Sequence, residues 1–145
     1  MNKKSVLPVR AACAAALVLV AAAAALMLFP GSVTMTFAVG PGEARYQTYS
    51  WFDDIVWGYG LFLIPLAGLL AVGSLSGLAA GLGKGGAFPG AAWGFLIAAG
   101  GLSLIPVWLG LTPDGVNWLS IAIALCLWAA VLLLWLARPK REKTV

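Results

Sequence analysis

The residues best suited to chemistry are two adjacent carboxylates, Asp53 and Asp54, set in the phrase YSWFDDIVWGYG (residues 49–60) at the edge of a long apolar run. Paired carboxylates attract cations or pass protons, and Asp114 would add a third oxygen donor of the kind a calcium ion takes. The same pair also fits the lip of a membrane helix. Ser50 followed three residues later by Asp53 is a capping pattern, and acids in a first turn meet the positive end of the helix dipole. Helix capping is the favoured reading, with cation attraction by Asp53, Asp54 and Asp114 as the alternative.

Other chemistry finds little to work with. The 145-residue chain has no histidine, which removes bis-histidine haem ligation, histidine zinc sites and histidine acid–base catalysis together. Cys13 and Cys126 lie in apolar stretches with no CxxC spacing and read as small buried residues. HExxH, GxSxG and Walker patterns do not occur, and GLGKGG (residues 81–86) lacks the Walker spacing, so it reads as a cytoplasmic turn. The expectation is a non-enzyme with no catalytic residue, cofactor or metal.

The elements that must position these residues follow from composition. Hydrophobic residues make up 62% of the chain and charged ones 10%, against about 25% charged in an ordinary soluble domain. Four stretches free of Asp, Glu, Lys and Arg, at about 11–29, 55–80, 87–111 and 116–137, reach the roughly 20 residues that cross a bilayer as helix. Backbone amides must be paired in lipid, so runs this long form helices. The fold class is therefore all-α integral membrane: one domain, a four-transmembrane-helix bundle. The first span follows Lys3, Lys4 and Arg10 as a signal peptide would, but its apolar run continues to Pro30, longer than a signal core of about 7–15 residues. An uncleaved anchor is expected.

With four spans, Lys3, Lys4, Arg10, Lys84, Arg138, Lys140, Arg141 and Lys143 fall on one side and only Arg45 on the other. The positive-inside rule makes both termini cytoplasmic in a bacterial cytoplasmic membrane. The net charge of +4 then reflects orientation, and the tail RPKREK anchors topology and touches anionic lipid rather than nucleic acid. Trp51, Trp57, Trp108 and Trp118 fall at outer interfaces and Trp93 and Trp135 towards inner ones. Trp128, near mid-span, reads as a packing residue.

Between the first two spans, residues 30–50 form the one sizeable outer segment. SVTMTFAV alternates with a period of two, GPGE is a turn signal, and ARYQTY returns, which predicts an extracytoplasmic β-hairpin. Placing Val39 opposite Ala44 sets Phe37 against Tyr46 and Met35 against Thr48, with Arg45 and Gln47 on the threonine face. Such a hairpin is marginal alone, so it packs on the helix ends or meets a partner, with Phe37, Tyr46 and Tyr49 as candidate contacts.

Small residues recur every four positions at Gly73, Gly77 and Gly81, and at Gly90, Gly94 and Ala98. That spacing lets helix backbones approach, and it predicts that spans two and three pack through both seams, with one seam facing a second subunit as the alternative. Pro65 and Pro106 interrupt spans two and three, where proline removes a hydrogen bond and kinks a helix.

YQTYSWFDDIVWGYGLFLIP, from Tyr46 to Pro65, resembles a segment of small uncharacterised four-span bacterial membrane proteins in which a Tyr/Ser/Phe-rich stretch leads into the second helix through a Gly-Tyr pair. The resemblance implies the four-span architecture and brings no activity with it. One larger and one smaller outer loop are also similar in layout to claudins, without their paired-cysteine motif. The spans lack the glutamate of small multidrug exporters and the central asparagine of small fluoride channels. The expected role is a non-catalytic accessory, assembly or interaction subunit, partnered by the bilayer and by a larger membrane protein or a second copy. The alternative is a small oligomeric channel or transporter with its path between subunits.

Overall fold

Pro8 is the N-cap of α1 (Val9–Met27), and the alanine-rich run after it favours helix. This computed structural model describes residues 8–83 and 87–139. Strands β1 (Val33–Gly40) and β2 (Glu43–Tyr49) follow, then a short α2 (Asp54–Gly58) and α3 (Leu63–Gly83). The chain continues through α4 (Gly90–Leu102), α5 (Leu104–Leu109), the two-residue strands β3 (Leu111–Thr112) and β4 (Gly115–Val116), and α6 (Trp118–Ala137). Four helices are long and apolar enough to cross a membrane: α1, α3, the α4–α5 unit and α6.

The four helices close into a ring, α1 beside α6 and α3, and α4 beside α3 and α6. On α1 the buried face is Ala12, Ala16, Val20, Ala23 and Met27, a three-and-four spacing that keeps one stripe inward. Its alanines let two neighbouring backbones come close, the packing that holds helices together where water is absent. The same core takes in Ala67, Ala71 and Leu78 of α3, Ala92, Leu96 and Ala99 of α4, and Ile123, Leu127, Ala130 and Leu134 of α6. Outward faces are also apolar, with Leu69, Phe95, Leu125 and Leu132 exposed, so the long helices are apolar on all sides.

Two indoles bind α4 and α6 across their interface. Trp93 Nε1 donates to the Val131 carbonyl at 3.3 Å, and Trp128 Nε1 donates to the Gly100 carbonyl at 3.1 Å. At the end of the bundle away from the hairpin, the Arg138 guanidinium lies 5.0 Å over the Trp93 ring.

One boundary differs from expectation. The second long helix starts at Leu63 rather than 55, because Gly60 adopts a φ of 78° and turns the chain between α2 and α3. Pro65 consequently sits in the first turn of α3, where its missing N–H costs nothing, and makes no mid-span kink. Pro106 does interrupt its span: it has no N–H to give the carbonyl four residues back, at Leu102, and the helix breaks at Ser103.

The hairpin forms, but in a different register. Phe37 pairs with Arg45, Thr36 with Tyr46, Met35 with Gln47, Thr34 with Thr48 and Val33 with Tyr49, while Gly40 pairs with Glu43. Val39 is the extra residue of a bulge, which moves every partner by one and changes the faces. Tyr46 therefore joins Thr34, Thr36 and Thr48, and Phe37 shares its face with Val33, Met35 and Tyr49. Pro41 and Gly42 make the turn, with Gly42 at a φ of 81° that favours glycine.

Candidate functional site

The hairpin end of the bundle is organised around Ser32, where α1 hands over to β1. Its carbonyl accepts the Trp51 indole N–H at 3.3 Å and the Ser120 hydroxyl at 2.8 Å, and its own hydroxyl donates to the Met27 carbonyl at 3.2 Å. The Trp51 backbone N–H also donates to Met27, at 3.0 Å. Residues from α1, the segment after β2, and α6 are thereby joined through one position. Among the described residues no buried side-chain nitrogen or oxygen lacks a partner. Trp51, expected at an interface, is instead fully buried; its polar edge is satisfied inside the junction, which removes the reason for the ring to seek water.

Asn117 ties the same region to α6. As N-cap residue its Oδ1 accepts the Leu119 and Ser120 N–H groups at 3.1 and 3.3 Å, satisfying two orphan donors of the helix start. Its Nδ2 donates to the Gly31 carbonyl at 3.0 Å and to Thr34 Oγ1 at 2.9 Å. A single side chain thus caps one helix and fixes the root of β1.

Beside this cap lies an open cleft of about 440 Å³ between the threonine face of the hairpin and the β3–β4 turn. Thr34, Tyr46 and Thr48 form one wall, Asp114 the other side, and Asn117 and Trp118 the floor at the start of α6. Thr34 is 6% exposed and Trp118 is 74% exposed. The lining holds hydroxyls, an amide, two aromatic rings and one carboxylate, with no lysine or arginine.

The carboxylates singled out by sequence do not meet. Asp114 lines the cleft, whereas Asp53 Oδ2 accepts the Ser50 backbone N–H at 2.7 Å and closes the turn ahead of α2. Asp53 is the N-cap residue of that five-residue helix without a side-chain cap bond, and Asp54 is in its first turn. The pair therefore marks a short helix and not the start of a long span. Among the described residues no group of three Asp, Glu, Cys or His side chains is placed to hold a metal ion.

The aromatic candidates divide between two faces. The Phe37 ring sits edge-on to Tyr49 at 6.3 Å and to Tyr59 at 5.2 Å, while Tyr46 faces the cleft. The glycine seams divide as well. A Cβ on Gly77 would come 2.8 Å from Ala92 Cβ, and one on Gly81 would come 3.0 Å from Cys13 Sγ. Among the described residues, a Cβ added at Gly73, Gly90 or Gly94 would meet nothing within 4 Å, and Ala98 is exposed. Ala92 meets α3 at Gly77, and the buried face of α4 is Ala92, Leu96, Ala99 and Gly100, so the second seam turns outward. Gly68, outside either seam, seats Phe52, whose Cζ would be 2.5 Å from an added Cβ.

Of the basic residues that set the charge asymmetry, Arg10 and Arg138 lie at the end away from the hairpin and Arg45 lies on it, whereas Lys3, Lys4, Lys84, Lys140, Arg141 and Lys143 lie outside the described residues. Ser32, Thr34, Thr48, Asn117 and Trp118 had no motif to announce them, although Asn before an apolar run is itself a helix-start signal. No family model, curated relative or solved structure matches the chain.

Proposed function

We propose that the protein is a multi-pass protein of a bacterial cytoplasmic membrane, both termini cytoplasmic, acting as a non-catalytic accessory, assembly or interaction subunit of a larger membrane complex. The orientation rests on the lysine and arginine bias, with Arg45 alone on the hairpin side. The role rests on one observation: the hairpin is fixed at its root and free at its tip. Val33 and Met35 are buried, while Ala38, Val39, Ala44 and Arg45 are exposed. A partner meeting a pre-formed strand edge loses less ordering entropy than one that must fold it.

Co-purification in mild detergent at native expression tests this reading. A larger membrane protein retained by the wild type and lost on Val39→Asp, with the bundle still folded, is the expected result. A clean monomer with no partner would overturn it. The oligomeric channel, with its path between subunits, ranks second. Cation flux through reconstituted liposomes would reverse that ranking.

A further inference from the structure

We propose that the cleft between the hairpin and the β3–β4 turn binds a primary ammonium group of the phosphoethanolamine type, delivered as the headgroup of a phospholipid in the outer leaflet. The proposal rests on the orientation above. Asp114 is the one charged side chain of the lining, so the cleft attracts cations and disfavours an isolated anion. Its carboxylate accepts N–H bonds, which a primary ammonium supplies and a quaternary one lacks. Charge-assisted bonds of this sort are roughly twice as strong as neutral ones.

The remaining lining suits the rest of such a headgroup. Thr34 Oγ1 accepts from Asn117 Nδ2 at 2.9 Å, which leaves the Thr34 O–H to donate, and Tyr46 and Thr48 add hydroxyls on the same wall. These donors can hold phosphate oxygens, and the floor at the start of α6 favours negative charge through the helix dipole. Asn117 already takes the Leu119 and Ser120 N–H groups, so the hydroxyls make the direct bonds. The exposed Trp118 ring sits at this same floor, and such rings lie at headgroup depth. A ligand anchored in the adjacent leaflet needs no other route to the site.

The test uses the full-length protein, delipidated in detergent and titrated separately with phosphatidylethanolamine, phosphatidylcholine and phosphatidylglycerol, with bound lipid read by native mass spectrometry. Phosphatidylethanolamine should bind about tenfold more tightly than the other two, the worth of one charge-assisted hydrogen bond. Asp114→Asn should erase that preference. Glu43→Gln, which removes a carboxylate at the hairpin tip outside the cleft, should leave it intact. Equal binding of all three lipids, or an unchanged preference in Asp114→Asn, would overturn the proposal. Competition by soluble O-phosphoethanolamine separates sources: the same ammonium chemistry belongs to a soluble ligand if it displaces the lipid at equal affinity, and to the lipid headgroup if it does not. Resistance of the protein to carbonate extraction is measured in parallel, so a failure of membrane insertion is distinguishable from a failure of the site.

Discussion

Trp128 and Gly100 form a fitted pair: the indole N–H donates to the glycine carbonyl at 3.1 Å, and a Cβ at position 100 would stand 3.3 Å from the indole Cε2. The mid-span tryptophan is therefore a cross-helix tie. Its reciprocal, Trp93 to Val131, runs from α4 to α6, so each helix supplies one indole and one backbone carbonyl.

Trp128→Phe keeps most of the ring volume and loses the bond. It should cost about 0.5–1.5 kcal/mol, and Gly100→Val should cost about 1–3 kcal/mol by forcing the ring away. Unfolding of the purified protein in mixed micelles by added denaturing detergent measures both. The paired variant should show less than the sum of the two losses, since both act on one contact.

The two glycine seams make opposite predictions. Gly77→Val drives a branched side chain into Ala92 and should destabilise by about 1–3 kcal/mol. Gly94→Ala meets open space and should be neutral or stabilise by up to about 1 kcal/mol through helix propensity. The same unfolding assay decides between them.

Asn117→Ala removes a cap, a tie to Gly31 and a tie to Thr34 of β1 at once. A loss of about 1–2 kcal/mol is expected, accompanied by faster amide hydrogen exchange at both Leu119–Ser120 and the first residues of β1. Faster exchange confined to α6 would show that the hairpin root holds without this side chain.

Topology is checked with single cysteines after Cys13 and Cys126 are changed to alanine. Ala38→Cys should react with an impermeant maleimide in intact spheroplasts, whereas Lys143→Cys should react only after the membrane is permeabilised.

How far the sequence reveals this structure depends on the range of the forces involved. Four helices are legible because apolar length is a local property. The start of α3 is not, since Gly58 and Gly60 sit inside an apolar run, and the turn is set by one φ angle; Pro65, comfortable only in a first turn, was the available signal. The hairpin is legible from alternation, but its register hangs on the bulge at Val39, and two registers one residue apart keep the same composition. The seam at Gly90 and Gly94 shows that a spacing of four defines a face without saying what lies opposite it. The junction at Ser32 joins groups up to 88 positions apart, Ser120 among them, and no local pattern encodes that. The cleft is hidden for the same reason: Thr34, Tyr46 and Asp114 come together only once α1 and α6 are neighbours.

That neighbouring of α1 and α6 has a biosynthetic consequence. The ring of helices is completed by a contact between α1 and α6, the first and fourth of the long helices in chain order. Until α6 leaves the ribosome, the alanine face of α1 has α3 beside it but lacks its second neighbour, and Ser32 lacks its bond from Ser120. A nascent chain arrested before α6 thus leaves that alanine face open. A quality-control protease scanning for unpaired helices has there a clear distinction between unfinished and finished protein.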